Sequence, residues 1–303
     1  MKNVPTRHHY ISQFFLKNFS PNRSTLWVFD RVKKEIRYQD IKKIASQNKL
    51  YSYKKKGGEE KNLEDLLCKV EDLSKPIIDK LISKSEITMQ EKADLSLFLA
   101  LLKVRVPSFK KWTEKSGERF YKDYNQIVFS NRDYVEAQLK RSGNTLTKKE
   151  VDDLIVFATD KNRYSVKFPS NYWLGTMLKL SSDLADIFID SDWDVYHFDK
   201  EFALVSSDNP VILIPPKHFD KFFGYGFGTP GTTKIISLSS NMCLVTKDMV
   251  KNPLIVHIDS SDKLIWKYFN KFISINSDRF IFSPDKGKLE KIVKDLSLNK
   301  TGI

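Results

Sequence analysis

The sequence predicts an α+β fold: a central helical bundle packed on a mostly antiparallel sheet formed by an N-terminal hairpin and the C-terminal strands. Three observations carry this. Apolar residues alternate in "TLWVFDRVKKEIRYQD" (25–40), recur at helical spacing across 62–188, and alternate again in short runs after Asp192. Strands at both ends of a helical middle fit one α+β domain over 1–303, with an N-terminal helix and hairpin (1–53), a helical middle (62–188) and a β-rich C-terminal part (192–303). With 303 residues, 41% hydrophobic and 13% aromatic, the chain can bury a large core.

Each element has a local reason. Ile11, Phe14, Phe15 and Phe19 recur at helical spacing, so a helix should start near Ser12 and end before "SPNRS", where Pro21 and Asn22 signal a turn. Leu26 and Val28, then Ile36 and Tyr38, form the hairpin around the charged turn "DRVKKE". "KKKGGEEKN" (54–62) has little to bury and reads as a loop. A helix follows from Leu63, and a second begins at Thr88 with Glu91 three residues later, the capping-box signature. Pro107 should end or kink that helix. Further helices are expected over 113–129, 131–141, 147–160 and 169–188, with starts at Thr147 plus Glu150 and at Pro169 plus Ser170. Then come the β-rich runs "WDVYHFD", "FALVSS", "PVILIP", "TKIISLS" and "NMCLVT", a helix in "SSDKLIWKYFNKFISINSD", a strand in "RFIFS" and a terminal helix in "KGKLEKIVKDLSL".

The chain carries 51 Lys and Arg against 38 Asp and Glu, a formal net charge of +13, which favours polyanionic partners such as RNA or DNA or simply maintains solubility. Only two cysteines occur, Cys68 and Cys243, without a CxxC pair, which argues against a disulfide framework or structural zinc and fits a reducing cytoplasm. The opening "MKNVPTRHHY" lacks the apolar stretch of a signal peptide, and no segment has the run of apolar residues a spanning helix needs, so no membrane association is expected. A protein partner or homo-oligomer is compatible with the sequence, which specifies neither.

Few residues stand out as chemistry-bearing. There is no HExxH, GxSxG or Walker sequence, and "GYGFGTPG" precedes a strand rather than a helix, so it reads as a turn or substrate-edge loop instead of a dinucleotide fingerprint. What remains is His8 and His9, Glu71, Arg105, and the "SSDNP" corner with Asp208 and Asn209. Adjacent residues of an extended segment point oppositely, so His8 and His9 should divide between a buried or functional role and a supporting one. Just before a helix they could share its anion-attracting end, or clamp the backbone. Arg105, within the apolar run "SLFLALLKVRVP", needs a partner: Glu71 across antiparallel helices, or a phosphate held bidentately. Asp208 and Asn209 suit a divalent metal, the orientation of a histidine, or an ordinary Asx turn.

These residues also carry a resemblance. "RHHYISQFFLKNF", "LWVFDR", the Glu71 helix, "FLALLKVRVP", "LVSSDNPV", "ISLSSNMCL" and "NKFISINSDRFIFS" resemble, in order, the landmarks of the family catalogued as domain of unknown function 4238. Ser12 stands where that pattern usually has Pro. The resemblance implies that His8, His9, Gln13, Asn18, Glu71, Arg105, Asp208, Asn209 and Asn270 belong together, and it supplies no reaction.

Two functions are therefore expected. One is a nucleic-acid-processing enzyme, such as a nuclease-like toxin or antiviral defence effector, with His8 or His9 in acid/base work and Arg105 stabilising phosphate charge, with or without a divalent metal. The other is a non-catalytic interaction module whose His/Asp/Arg/Glu cluster is structural. For a single site, the side chain of His8 or His9 should lie within direct or one-water reach of Glu71, Arg105 or Asp208, beside an open cleft.

Overall fold

The N-terminal hairpin pairs with strands from the far end of the chain, and this pairing makes the fold α+β. The structure, a computed structural model, describes residues 6–54, 60–220, 222 and 224–298. The first part contains β1 (Arg7–His9), α1 (Gln13–Lys17), β2 (Thr25–Asp30), β3 (Glu35–Asp40), β4 (Ser46–Asn48), β5 (Ser52–Lys54) and β6 (Glu60–Asn62). Helices follow: α2 (Glu64–Ile82), α3 (Met89–Val104), α4 (Pro107–Phe129), α5 (Arg132–Arg141), α6 (Lys148–Thr159) and α7 (Ser170–Ile189). The last part contains β7 (Ser191–Phe198), β8 (Ser206–Ser207), β9 (Ile212–Ile214), β10 (Thr233–Ser239), β11 (Met242–Met249), β12 (Ile255–Ser260), α8 (Lys263–Ile275), β13 (Phe280–Ser283) and α9 (Lys286–Leu298).

The chain divides into two compact units, Met1–Pro107 with Met177–Ile303, and Ser108–Thr176. The first holds all the described strands. In β2, Leu26, Val28 and Asp30 are buried while their neighbours are half-buried, and each fully buried aliphatic side chain contributes about 1.5–3 kcal/mol. Asp30 Oδ1 accepts the N–H groups of Val32 and Lys33 at the turn, and Lys34 closes it with φ 55°. The hairpin then pairs antiparallel with β13, and β13 with β8.

The hairpin joins C-terminal strands in one antiparallel sheet, as expected, and the other C-terminal strands form a second sheet. The hairpin's sheet runs β3-β2-β13-β8, and a separate five-stranded sheet runs β12-β7-β11-β10-β9. The runs "FALVSS" and "PVILIP" fall in different sheets because a turn divides them: Ser207 Oγ accepts the Asn209 N–H and donates to the Asn209 carbonyl, and Pro210 has no ladder N–H. The five-stranded sheet is mixed, since β12 runs parallel to β7. Helix α8, with Phe269 and Ile273 on its buried face, packs into a core with Phe198, Val205, Ile235 and Val245. Pro107 ends α3 as expected and opens α4, where its missing N–H costs nothing. The "KKKGGEEKN" loop lies partly outside the described residues, but its ends pair as β5 and β6. In "GYGFGTPG", Gly224 and Gly231 take φ of 72° and 79°, a turn conformation rather than a helix start.

The second unit centres on α4, α5 and α6. Gly117 lets α4 approach Phe168 and Tyr172; a Cβ there would lie 2.7 Å from the Tyr172 hydroxyl. Thr147 and Glu150 form a reciprocal capping box on α6, as Thr88 and Glu91 do on α3 in the first unit. Among the described residues, no helix is long and apolar enough to cross a membrane.

Candidate functional site

The two histidines lie in a strand rather than at a helix end. β1 pairs antiparallel with β4, and the Tyr10 N–H continues the pairing by donating to the Ala45 carbonyl at 2.9 Å. The following helix, α1, has only five residues, and Ser12 makes no side-chain cap. The anion-attracting helix end considered for this segment therefore has little dipole behind it. Strand alternation separates the histidines as expected: His8 is buried and His9 half-buried. The main-chain N–H of Tyr51 donates to His8 Nδ1 at 2.9 Å, and the two rings stack 5.4 Å apart, 3° from parallel. Neutral His8 thus carries its proton on Nε2. His9 Nε2 faces the Lys42 carbonyl at 3.2 Å. A carbonyl can only accept, so Nε2 donates and Nδ1 of neutral His9 is left as an acceptor. Burial holds His9 below the ordinary histidine value; the Lys42 bond opposes this, while Arg7 and Arg105 add to it.

Arg105 gathers the histidine segment and two helices. It caps the C-terminus of α3 and is 1% exposed. Its NH1 group donates to Glu71 Oε1 at 2.6 Å, NH2 to the His9 carbonyl at 2.6 Å, and Nε to the Tyr51 hydroxyl at 3.3 Å. The Tyr51 hydroxyl donates in turn to the Arg105 carbonyl at 3.0 Å, satisfying a carbonyl that the helix end leaves open. Burial alone would lower the guanidinium pKa, but Tyr51 and Glu71 raise it above its ordinary value. Burial pushes the Tyr51 phenol up to about 12, against the pull of Arg105. Of the two partners weighed for Arg105, the structure places Glu71 against it, the Glu71 side chain being 18% exposed.

Asp208 forms a second cluster. Its carboxylate accepts three main-chain N–H groups: Asp278 at 2.9 Å, Arg279 at 2.8 Å and Phe280 at 3.0 Å. It thereby fixes the entry to β13. Asn209 donates to the Asn276 carbonyl at 3.0 Å and accepts from Lys103 Nζ at 3.2 Å, and Lys103 also reaches the Val211 carbonyl. Lys103 and Arg105, both from the end of α3, thus serve different clusters. The buried Tyr10 phenol lies within electrostatic range of both Asp208 and Tyr51: burial raises its pKa most, Asp208 raises it further, and Tyr51 adds to this.

Among the residues singled out from the sequence, His8, His9, Glu71 and Arg105 come together, and Asp208 and Asn209 sit in the neighbouring cluster. Arg105 meets the histidine segment at the His9 carbonyl. Asn18 instead donates to the Leu238 carbonyl, tying α1 to β10. Asn270 accepts from the Val205 N–H and donates to the Ala203 carbonyl, tying α8 to the chain before β8. Gln13 makes no side-chain hydrogen bond among the described residues. Tyr51, Tyr10, Lys103 and the Asp30–Arg279 pair were not anticipated. Asp30 is buried, and Arg279 reaches both its oxygens, at 2.8 Å in the shortest contact. Among the described residues, no group of three or more His, Cys, Asp or Glu is placed to hold a metal ion.

Burial, with help from Asp278, pushes Asp208 up to about 7, although its three N–H donors favour the carboxylate. A raised folded-state value means that the folded protein binds the proton more tightly than the unfolded chain. The associated stability is present below the unfolded value of 3.8 and is lost as pH rises towards about 7. Wild-type urea midpoints should therefore fall between pH 4 and pH 7 relative to those of Asp208→Asn. A wild-type advantage that grows with pH would show the opposite shift.

The geometry defines an α+β protein whose N-terminal strand is locked to two helices by a buried polar cluster. The model of the family described as protein of unknown function (DUF4238) matches residues 7–287, nearly the whole chain, and the chain belongs to that family. No curated protein and no solved structure matches it.

Proposed function

We propose that this chain is a non-catalytic interaction module in which His8, Glu71, Arg105 and Asp208 hold the fold together. The observation that carries this reading is where their polar atoms are directed. His8 Nδ1 takes a main-chain N–H, Arg105 serves the His9 carbonyl, Tyr51 and Glu71, and Asp208 takes three main-chain N–H groups. A guanidinium 1% exposed presents no face to a phosphate. Groups that stabilise charge in a reaction need such a face.

One observation favours a second reading, a nucleic-acid-processing enzyme. His9 is half-buried, has Nε2 anchored on the Lys42 carbonyl, and keeps Nδ1 as an acceptor, the arrangement of an oriented neutral base. The two readings separate when purified protein is incubated with RNA and with DNA, with and without divalent metal. The interaction-module reading expects both polymers to remain intact. Cleavage that His9→Ala abolishes at wild-type stability would overturn it in favour of the enzyme.

A further inference from the structure

The loop "GYGFGTPG", a turn or substrate edge by its sequence, borders a small cavity in the first unit. Its own turns fix the loop: the Gly226 N–H donates to Thr229 Oγ1 at 2.9 Å, the Thr229 N–H to the Gly226 carbonyl at 3.2 Å, and the Thr232 N–H to the Thr229 carbonyl at 3.0 Å. Phe227 meets the buried ring of Phe188 edge-on at 5.9 Å, which anchors the loop on α7. The cavity measures about 120 Å³, and Phe227, Pro230 and Met249 line it together with two charged residues, Lys234 and Asp248.

Lys234 lacks what a buried charge needs. It is 2% exposed, on β10, and its ammonium makes no hydrogen bond or ion pair among the described residues. Thr246 lies opposite it in register and Thr232 two residues before it, but both hydroxyls are buried without a hydrogen-bond partner, so neither serves the ammonium. Burial lowers the Lys234 pKa, and Asp248 opposes this from beyond ion-pair distance. Asp248 is itself held in place by the Gly231 N–H, which its carboxylate accepts. Two opposite charges thus line one cavity without pairing, although an unpaired buried charge is costly.

We propose that this cavity binds a small zwitterion, a free amino acid of about the size of alanine, with its carboxylate on Lys234, its ammonium on Asp248 and its short side chain against Phe227, Pro230 and Met249. The size follows from the volume: at about 30 Å³ per water, the cavity holds roughly four waters, which leaves no room for an aromatic side chain. The class follows from the charges. A simple anion satisfies Lys234 and is repelled by Asp248, a simple amine does the reverse, and a zwitterion makes a charge-assisted hydrogen bond to each. The cavity shares no residue with the clusters around Arg105 and Asp208, so the inference goes beyond the interaction-module reading and stands without it.

The test is isothermal titration calorimetry of the full chain with L-alanine, glycine, acetate, ethylammonium, inorganic phosphate and L-tryptophan. L-Alanine and glycine should bind, acetate and ethylammonium should each bind at least about 10-fold more weakly for want of one charged partner, and L-tryptophan should not bind. Lys234→Met, of similar length and uncharged, should abolish L-alanine binding. Asp248→Asn, which keeps an acceptor for the Gly231 N–H, should weaken it at least about 10-fold. Circular dichroism of both variants should match wild type, and Asp248→Asn carries the location by itself if Lys234→Met does not fold. No heat from L-alanine or glycine overturns the proposal. So does acetate or phosphate binding as tightly as L-alanine, which would reduce the cavity to a plain anion site, and so does L-alanine binding that Asp248→Asn leaves unchanged.

Discussion

Arg105→Ala is expected to lower the unfolding free energy by about 3–5 kcal/mol, the range for removing one partner of a buried ion pair. The loss exceeds that of one contact because three groups are stranded together. Glu71 loses its 2.6 Å partner, the His9 carbonyl loses a donor, and the Tyr51 hydroxyl loses the Nε that donates to it. Arg105→Lys should recover less than half of the loss, since one ammonium cannot reproduce three donors in a fixed fork. Denaturant unfolding of the three proteins reads this directly. A loss below about 1 kcal/mol for Arg105→Ala, the level of an exposed pair, would mean that the cluster carries little of the fold's stability.

Asp208→Ala is the second large effect, expected at about 3 kcal/mol because three part-buried main-chain N–H groups lose their acceptor at once. Those groups open β13, the strand between the N-terminal hairpin and β8. Hydrogen exchange should therefore speed up locally at Phe280–Ser283 and at Thr25–Asp30. An equal loss of stability with protection unchanged in both strands would place the role of Asp208 elsewhere.

Much of the fold was readable from local signals. The hairpin was legible because Leu26 and Val28 alternate with half-buried neighbours, and α3 and α6 because Thr88 and Thr147 each precede a glutamate by three. β12 escaped because "IVHIDS" is mixed in character, and its neighbour β7 lies far back in sequence. Lys92 misleads in the same way. It is fully buried, its ammonium on the Ser191 carbonyl at 2.8 Å and over the Trp193 ring, although a lysine in a helix reads as solvent-facing. The site was half legible. Arg105 announced its need for a partner through the apolar run around it, and Glu71 lay in the preceding helix. Tyr51 gave no such signal, because it sits between short strands where no period exists, yet it contacts both His8 and Arg105. The N–H groups that Asp208 accepts come from about seventy residues later, a pairing no local pattern encodes.

If the histidine cluster holds the fold together, removing the His8 ring must cost stability. Equilibrium urea unfolding of His8→Ala beside wild type should show a loss of about 1–3 kcal/mol, from the acceptor removed from the Tyr51 N–H and the lost stacking on its ring. A wild-type midpoint and slope for His8→Ala would mean that the cluster does not hold the fold.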